Sequence, residues 1–164
     1  MTSTTEVLSP DAIDKLRGIQ DSIRKSIDQN KECPIKMHEW CQLPPDADTS
    51  QLVEFQPIPE GFCGTVGCIA GTLALQAGWL PIVYRSIADG NLVVGSIMTH
   101  KDHPGERWDA ENIGMEILNP EGSDSLDGAI RDLFLMDGDI WDDLYAARPT
   151  DIIEAIDRFI EAHT

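Results

Sequence analysis

The sequence has few basic residues and few cysteines, and each shortage argues against a class of protein. Lysine and arginine together number 12 against 29 acidic side chains, which gives a formal net charge of -17. Such a surface repels nucleic-acid phosphates and anionic lipid headgroups, so direct binding to nucleic acid or membrane is not expected. Four cysteines are too few for a disulfide-stabilised scaffold of 164 residues. We expect free thiols and a cytoplasmic protein.

Long apolar runs are also missing. No segment approaches the ~20 apolar residues of a membrane-spanning helix, and the N-terminal residues lack the basic and apolar regions of a secretory signal. Hydrophobic residues still make up 41% of the chain, which is enough for a core at this length. The sequence predicts a flexible N-terminus over residues 1–8 and a single globular domain over residues 9–164.

Helical periodicity dominates the chain. The first predicted helix has Ser9 as its N-cap and Pro10 at N1, followed by isoleucine and leucine at helical spacing. A second helix is predicted from about Thr65 to Ala77, with Gly78 at its end. Three more helices are predicted further on: Trp108 to Leu118, one capped by Ser125 and one capped by Thr150.

Two β-branched runs flank Asp89 and Gly90, a dipeptide typical of a tight hairpin turn. This pattern predicts a β-hairpin over residues 81–99. Residues 30–60 contain several prolines and are predicted as a long irregular segment, and loops of this length are often functional. The expected fold is mainly α (α+β), a small helical domain of about five helices with one β-hairpin.

The stretch CGTVGCIAG, residues 63–71, places two cysteines among glycines near the start of the second helix. Gly67 and Gly71 would allow another element to approach the helix backbone closely. Cys63 would lie at the helix N-terminus, where unpaired N–H groups and the helix dipole stabilise a thiolate. Cys68, deeper in the helix, is predicted to be a small buried hydrophobic residue. A cysteine-dependent hydrolase or transferase that uses Cys63 is therefore one hypothesis.

A cysteine nucleophile of this kind needs a general base, and a further group to orient that base. The candidate bases are His38, His100 and His103, and the candidate orienting groups are Asp102 and Glu39. Their spacing selects none of them.

Two patterns bear on metal binding. Cys33, His38 and Cys41, with Cys63 or Cys68, match the spacing of zinc knuckles poorly. A second group, the aspartates at positions 137, 139, 142 and 143, lacks the residue order of a calcium loop. Signatures of phosphate-binding loops, dinucleotide sites, metalloproteases and serine hydrolases are absent as well. No metal site and no cofactor are expected, and a zinc site assembled from the two separated cysteine segments stays an open alternative.

The motif from Cys63 to Gly71 resembles one found in a group of small bacterial and phage proteins of unknown function. Their shared CGTxxCIAG core follows a helix and a Met-x-x-Trp element, which here is residues 37–40, and their C-terminal part resembles this chain from Asp132 onwards. Members often carry histidine where this chain has Thr72, which weakens a catalytic scheme with a histidine on the same helix. The resemblance implies a central role for the motif in the fold and implies no activity.

The second hypothesis, which we favour, is a small acidic accessory protein that binds a basic protein surface, such as a phage-encoded inhibitor or nucleic-acid mimic. Residues 101–164 hold 17 acidic and 5 basic side chains, so most of the negative charge lies in the C-terminal part. Opposite charge favours association with a basic partner. The expected partner-binding residues are Asp137, Asp139, Asp142 and Asp143.

Overall fold

The computed structural model of the protein describes residues 7–31, 43, 48–59, 68–135 and 148–164. Within these ranges the chain forms α-helices, a short 3-10 helix at Thr49–Gln51 and one antiparallel sheet of three strands in the order β1-β2-β3. The helices are α1 (Pro10–Asp28), α2 (Ile69–Gln76), α3 (Ala110–Leu118), α4 (Asp124–Leu135) and α5 (Pro149–Ala162). The strands are β1 (Trp79–Arg85), β2 (Leu92–His100) and β3 (His103–Asp109). In these same ranges no helix is both long enough and apolar enough to cross a bilayer.

The expected fold class, a mainly α domain with one hairpin, is wrong, because a third strand makes the described fold a mixed α+β fold. β1 and β2 form the expected hairpin, and the chain then turns back so that β3 pairs with β2. The β3 sequence, HPGERWD, contains Pro104 and Gly105 and no β-branched residue, and nearly all of it is exposed. It therefore lacks the alternation that identifies a strand, yet such residues are tolerated in an edge strand.

α2 begins four residues later than the sequence predicts. Cys68 is its N-cap, with an extended backbone, and its Sγ accepts a hydrogen bond from the N–H of Gly71 at 3.5 Å. Gly78 follows the helix at φ +95°, a left-handed conformation that glycine adopts without strain, as expected for this helix end. α3 also begins late because Trp108 belongs to β3. Asp109 caps α3 by accepting a hydrogen bond from the N–H of Glu111 at 2.9 Å.

The start of α1 is confirmed, since Ser9 Oγ accepts a hydrogen bond from the N–H of Ala12 at 3.1 Å and proline follows at N1. At α5 the N-cap is Arg148 and not the predicted Thr150, and the carboxylate of Asp151 accepts a hydrogen bond from the N–H of Arg148 at 3.0 Å. The predicted cap Ser125 lies inside α4.

Two clusters of buried side chains form the core. The helical cluster lies between α1, α2, α4 and α5, and includes Leu16, Ile19, Ile23, Leu73, Ile130, Phe134, Ile152 and Ile156. The sheet cluster lies between the sheet, α2 and α3, and consists of Leu52, Ile58, Ala74, Val83, Val94, Met98, Ala110 and Ile113. α2 belongs to both clusters, so it has the central place in the fold that the sequence indicated.

A glycine of α3 packs directly against α2. A Cβ atom added to Gly114 would lie 3.2 Å from the Cα of Ala70 on α2 and 2.8 Å from the ring of Phe134 on α4. Three helices therefore meet at Gly114. The close contact with Ala70 depends on Gly114 of α3, and the predicted role of Gly67 and Gly71 in a close approach stays a prediction.

Two further segments attach to this framework. Leu8 is buried, and its N–H donates to the carbonyl of His163 at 2.8 Å. Pro57 forms an isolated bridge with Ile82, and the N–H of Phe55 donates to the carbonyl of Val83 at 2.7 Å. Residues 55–57 therefore run along the side of β1 that β2 leaves open.

Candidate binding groove

The structure describes only part of the set of residues singled out from the sequence. Those that lie outside the described residues are Cys33, His38, Glu39, Cys41, Cys63, Asp137, Asp139, Asp142 and Asp143. Their proposed roles stay predictions. The described members of the set are Cys68, His100, Asp102 and His103.

Cys68 has the position at the N-terminus of α2 that the sequence assigned to Cys63. Its side chain is buried, with 2% of its surface exposed, as predicted. Burial raises the pKa of the Cys68 thiol to about 11, and hydrogen bonds from backbone N–H groups only partly oppose this effect. The thiol is therefore protonated near neutral pH. A protonated and buried thiol is a poor nucleophile.

His100 lies at the end of β2, and both of its ring nitrogens have backbone partners. Nδ1 accepts a hydrogen bond from the N–H of Asp102 at 3.1 Å. Nε2 lies 3.1 Å from the carbonyl oxygen of Ala77 and must donate to it. The ring therefore ties the end of α2 to the turn after β2. No nitrogen of His100 is left to act as a general base.

Asp102 and His103 do not complete a catalytic group with His100. The carboxylate of Asp102 lies 3.9 Å from Nδ1 of His100, beyond hydrogen-bond distance. The rings of His100 and His103 have centroids 5.4 Å apart, and the ring of His103 has no hydrogen-bond partner within the described ranges. Across those ranges, no group of three histidine, cysteine or acidic side chains is placed to hold a metal ion.

A groove of about 430 Å³ lies between β3 and α3. Its lining residues are Trp79, Glu106, Trp108, Ile113, Glu116, Ile117 and Pro120. Glu106 and Trp108 are two residues apart on β3, so their side chains extend from the same face of the strand. Ile113, Glu116 and Ile117 share one face of α3 by helical spacing. Because β3 continues directly into α3, these two faces meet at a corner, and the groove is the concave side of that corner.

Two tryptophan rings form the aromatic wall of the groove. The centroids of Trp79 and Trp108 are 6.1 Å apart, with an angle of 31° between the ring planes. Trp79 is held from another side by the edge of the His100 ring, at 5.2 Å and 84°. Trp108 remains 43% exposed. The groove therefore combines a supported tryptophan with one whose ring is open to solvent.

The carboxylates of Glu106 and Glu116 carry the charge of the groove. Neither forms a hydrogen bond or an ion pair with any residue that the structure describes. By contrast, Glu111 on the same helix is paired with Nε of Arg131 at 3.0 Å. Unneutralised carboxylates beside tryptophan rings attract a cation, both by charge and through the negative ring faces. The described residues of the groove thus fit a positively charged group.

The sequence did not predict this groove. Trp108 was assigned to a helix, and no strand was predicted over residues 103–109. The sequence contains one indication of the groove, the two-residue spacing of Glu106 and Trp108. This spacing places both side chains on one face only if the segment is extended. Trp79 joins them because the pairings of Trp79 with His100 and of Met98 with Trp108 bring the outer strands together over β2.

No family model, no curated protein and no solved structure matches this chain. The inference of function therefore rests on the groove and on the charge of the chain, and the resemblance carried by residues 63–71 stays a prediction.

Proposed function

We propose that the protein is an accessory binding protein whose groove holds a basic segment of a protein partner. The observation that carries this proposal is the pair of carboxylates, Glu106 and Glu116, beside two tryptophan rings. The net charge of -17 adds a long-range attraction that speeds the encounter with a basic partner. A cytoplasmic location and the absence of direct nucleic-acid or membrane binding belong to this proposal, as does a role as an inhibitor or nucleic-acid mimic.

The composition of the groove supports binding of a protein segment. Ile117 and Pro120 give it apolar surface, and the tryptophans add rigid aromatic area that is enriched at binding hot spots. The carboxylates add the polar groups that orient a ligand. A basic peptide supplies both kinds of contact, because the stems of lysine and arginine are apolar and their ends are charged.

The alternative of a cysteine hydrolase gains no support from the described residues. Cys68 is a protonated thiol, and the ring nitrogens of His100 are both engaged. The version of this hypothesis that uses Cys63 and His38 lies outside the described residues and stays a prediction from the sequence.

A synthetic peptide of alternating glycine and basic residues, with lysine and arginine in equal numbers, tests the proposal by isothermal titration calorimetry. The variant is Glu106→Gln/Glu116→Gln. Its matched control, Asp14→Asn/Asp28→Asn, removes two exposed carboxylates of α1 that have no described ion pair. We expect the groove variant to bind the peptide roughly two- to tenfold more weakly than the control, since an exposed ion pair contributes about 0.2–1 kcal/mol.

Binding should also weaken as salt is raised from low to high concentration, because the contacts are solvent-exposed. A peptide that does not bind the wild-type protein even at low salt contradicts the proposal. Equal weakening by the two variants would place the binding on the general acidic surface and remove the groove from it.

A further inference from the structure

We propose that the groove selects an arginine side chain of the partner over a lysine side chain. This inference rests on the proposed function and adds the chemistry of the group that enters the groove. In this arrangement the guanidinium stacks on the indole of Trp108 and donates hydrogen bonds to the carboxylates of Glu106 and Glu116.

The geometry of the two tryptophans defines how a cation can bind. A planar group between two rings needs a ring separation of about 7 Å, twice the usual contact distance between carbon atoms. The centroids of Trp79 and Trp108 are 6.1 Å apart, so a third plane does not fit between them. The cation must therefore lie on an outer ring face. We assign it to Trp108, which is 43% exposed and lines the groove.

The surroundings of that face favour guanidinium over ammonium. Ile113, Ile117 and Pro120 line the groove. A strongly hydrated ammonium next to them would lose hydration water, and these apolar side chains offer no hydrogen-bond acceptors to replace it. A guanidinium is planar and more weakly hydrated, stacks on aromatic faces and has five N–H donors. It can keep its stacking contact while it donates to more than one carboxylate oxygen. An ammonium on the same ring has no planar face for stacking.

The two arginines nearest to β3 and α3 are engaged elsewhere, so neither pairs with the groove carboxylates. The nearest basic residue along β3, Arg107, is next in sequence to Trp108 and so extends from the other face of the strand. Its guanidinium donates to the carbonyl of Phe55 at 3.2 Å, beside the open edge of β1. Arg131 is engaged with Glu111. Neither arginine neutralises the groove carboxylates.

Two peptides that differ only in their basic residue test the proposal. One alternates glycine with arginine and the other alternates glycine with lysine, at equal length and charge. Calorimetry with the full chain should give a roughly two- to fivefold preference for the arginine peptide, the size expected of a solvent-exposed cation–π contact. In Trp108→Leu the preference should fall to about one, because the arginine peptide loses more affinity than the lysine peptide.

Two controls keep the outcomes distinct. Tyr84→Leu removes an aromatic ring that is 45% exposed and does not line the groove, so the arginine preference should persist. Glu116→Gln should weaken binding of both peptides and leave a preference for arginine. Circular dichroism establishes that each variant is folded.

Each failure has its own signature. If neither peptide binds the wild-type protein, the proposed function is wrong. If both bind equally, or lysine binds more tightly, only the arginine selectivity is wrong. An arginine preference that survives in folded Trp108→Leu would also overturn it, because the selective contact would then lie elsewhere.

Discussion

The helical cluster and the groove differ in how their polar side chains are paired. Between α1 and α5 the amide of Gln20, which is fully buried, donates to the carbonyl of Ile153 at 2.8 Å and to the carboxylate of Asp157 at 2.9 Å. Arg17 pairs with the same carboxylate. At the groove, by contrast, two carboxylates have no described partner and a tryptophan is exposed. Buried polar groups that are hydrogen-bonded hold a structure together, whereas exposed carboxylates without an ion-pair partner, beside exposed aromatic surface, are available to a ligand.

The junction of the two regions is the most sensitive place to test this contrast. Gly114→Ala should lower the free energy of unfolding by about 1–3 kcal/mol relative to Gly128→Ala, because the added methyl group overlaps the ring of Phe134 and the backbone of Ala70. Gly128 also lies within a helix, and nothing lies within 4 Å of its added Cβ. The gain in helix propensity is therefore common to both variants. Urea unfolding measures the difference.

Similar stability of the two alanine variants would show that the contact between α3, α2 and α4 is loose. The helical and sheet clusters would then be less rigidly joined than the described distances indicate. Loss of stability in Gly114→Ala with unchanged peptide binding would instead show that the groove tolerates a small shift of α3.

The polar network of the helical cluster makes a prediction about pH. Hydrogen bonds from Gln20 and Arg17 hold the pKa of the Asp157 carboxyl below its usual value. The carboxylate therefore adds stability above the unfolded pKa of about 3.9, and this contribution is lost as the pH falls through the lower folded pKa. Asp157→Asn should be less stable than the wild type by about 1 kcal/mol near neutral pH, since the pair is partly exposed.

The difference between wild type and Asp157→Asn should shrink as urea unfolding is repeated at pH values below about 4. The control is Asp14→Asn on the exposed side of α1, for which no change is expected at any pH. A difference that stays constant from neutral to acidic pH would mean that the charge of Asp157 contributes nothing to the helical cluster.

The same contrast explains which parts of the molecule could be predicted from the sequence. The helical cluster is built from helices whose apolar stripes are complete within each segment, so α1 and α5 are visible in the residues themselves. β3 is an exposed edge strand with proline and glycine, and its extended form depends on pairing with β2. The groove needs that pairing, the turn into α3 and the ring of Trp79 together. No local pattern contains all three.

The error at the start of α2 has a separate physical cause. The sequence predicts a helix from Thr65, which would place Cys63 near the helix dipole and Cys68 within the helix. The helix begins at Ile69, so Cys68 receives the N–H hydrogen bond and is also enclosed by the core. Burial outweighs the stabilisation of the thiolate there, and the pKa of the Cys68 thiol rises. A helix N-terminus activates a cysteine only where water reaches it.

Alkylation of Cys68 tests whether its thiol is buried and unreactive. The variant carries Cys33→Ser, Cys41→Ser and Cys63→Ser, so Cys68 is its one thiol. Iodoacetamide should modify the folded variant at pH 8 at least roughly a hundredfold more slowly than the urea-unfolded variant, because a pKa of about 11 leaves little thiolate and burial restricts access. Mass spectrometry follows the reaction. Equal rates in the folded and unfolded chains would place Cys68 at the surface. The N-terminus of α2 would then be exposed to solvent, as the groove is, and not buried in the helical cluster.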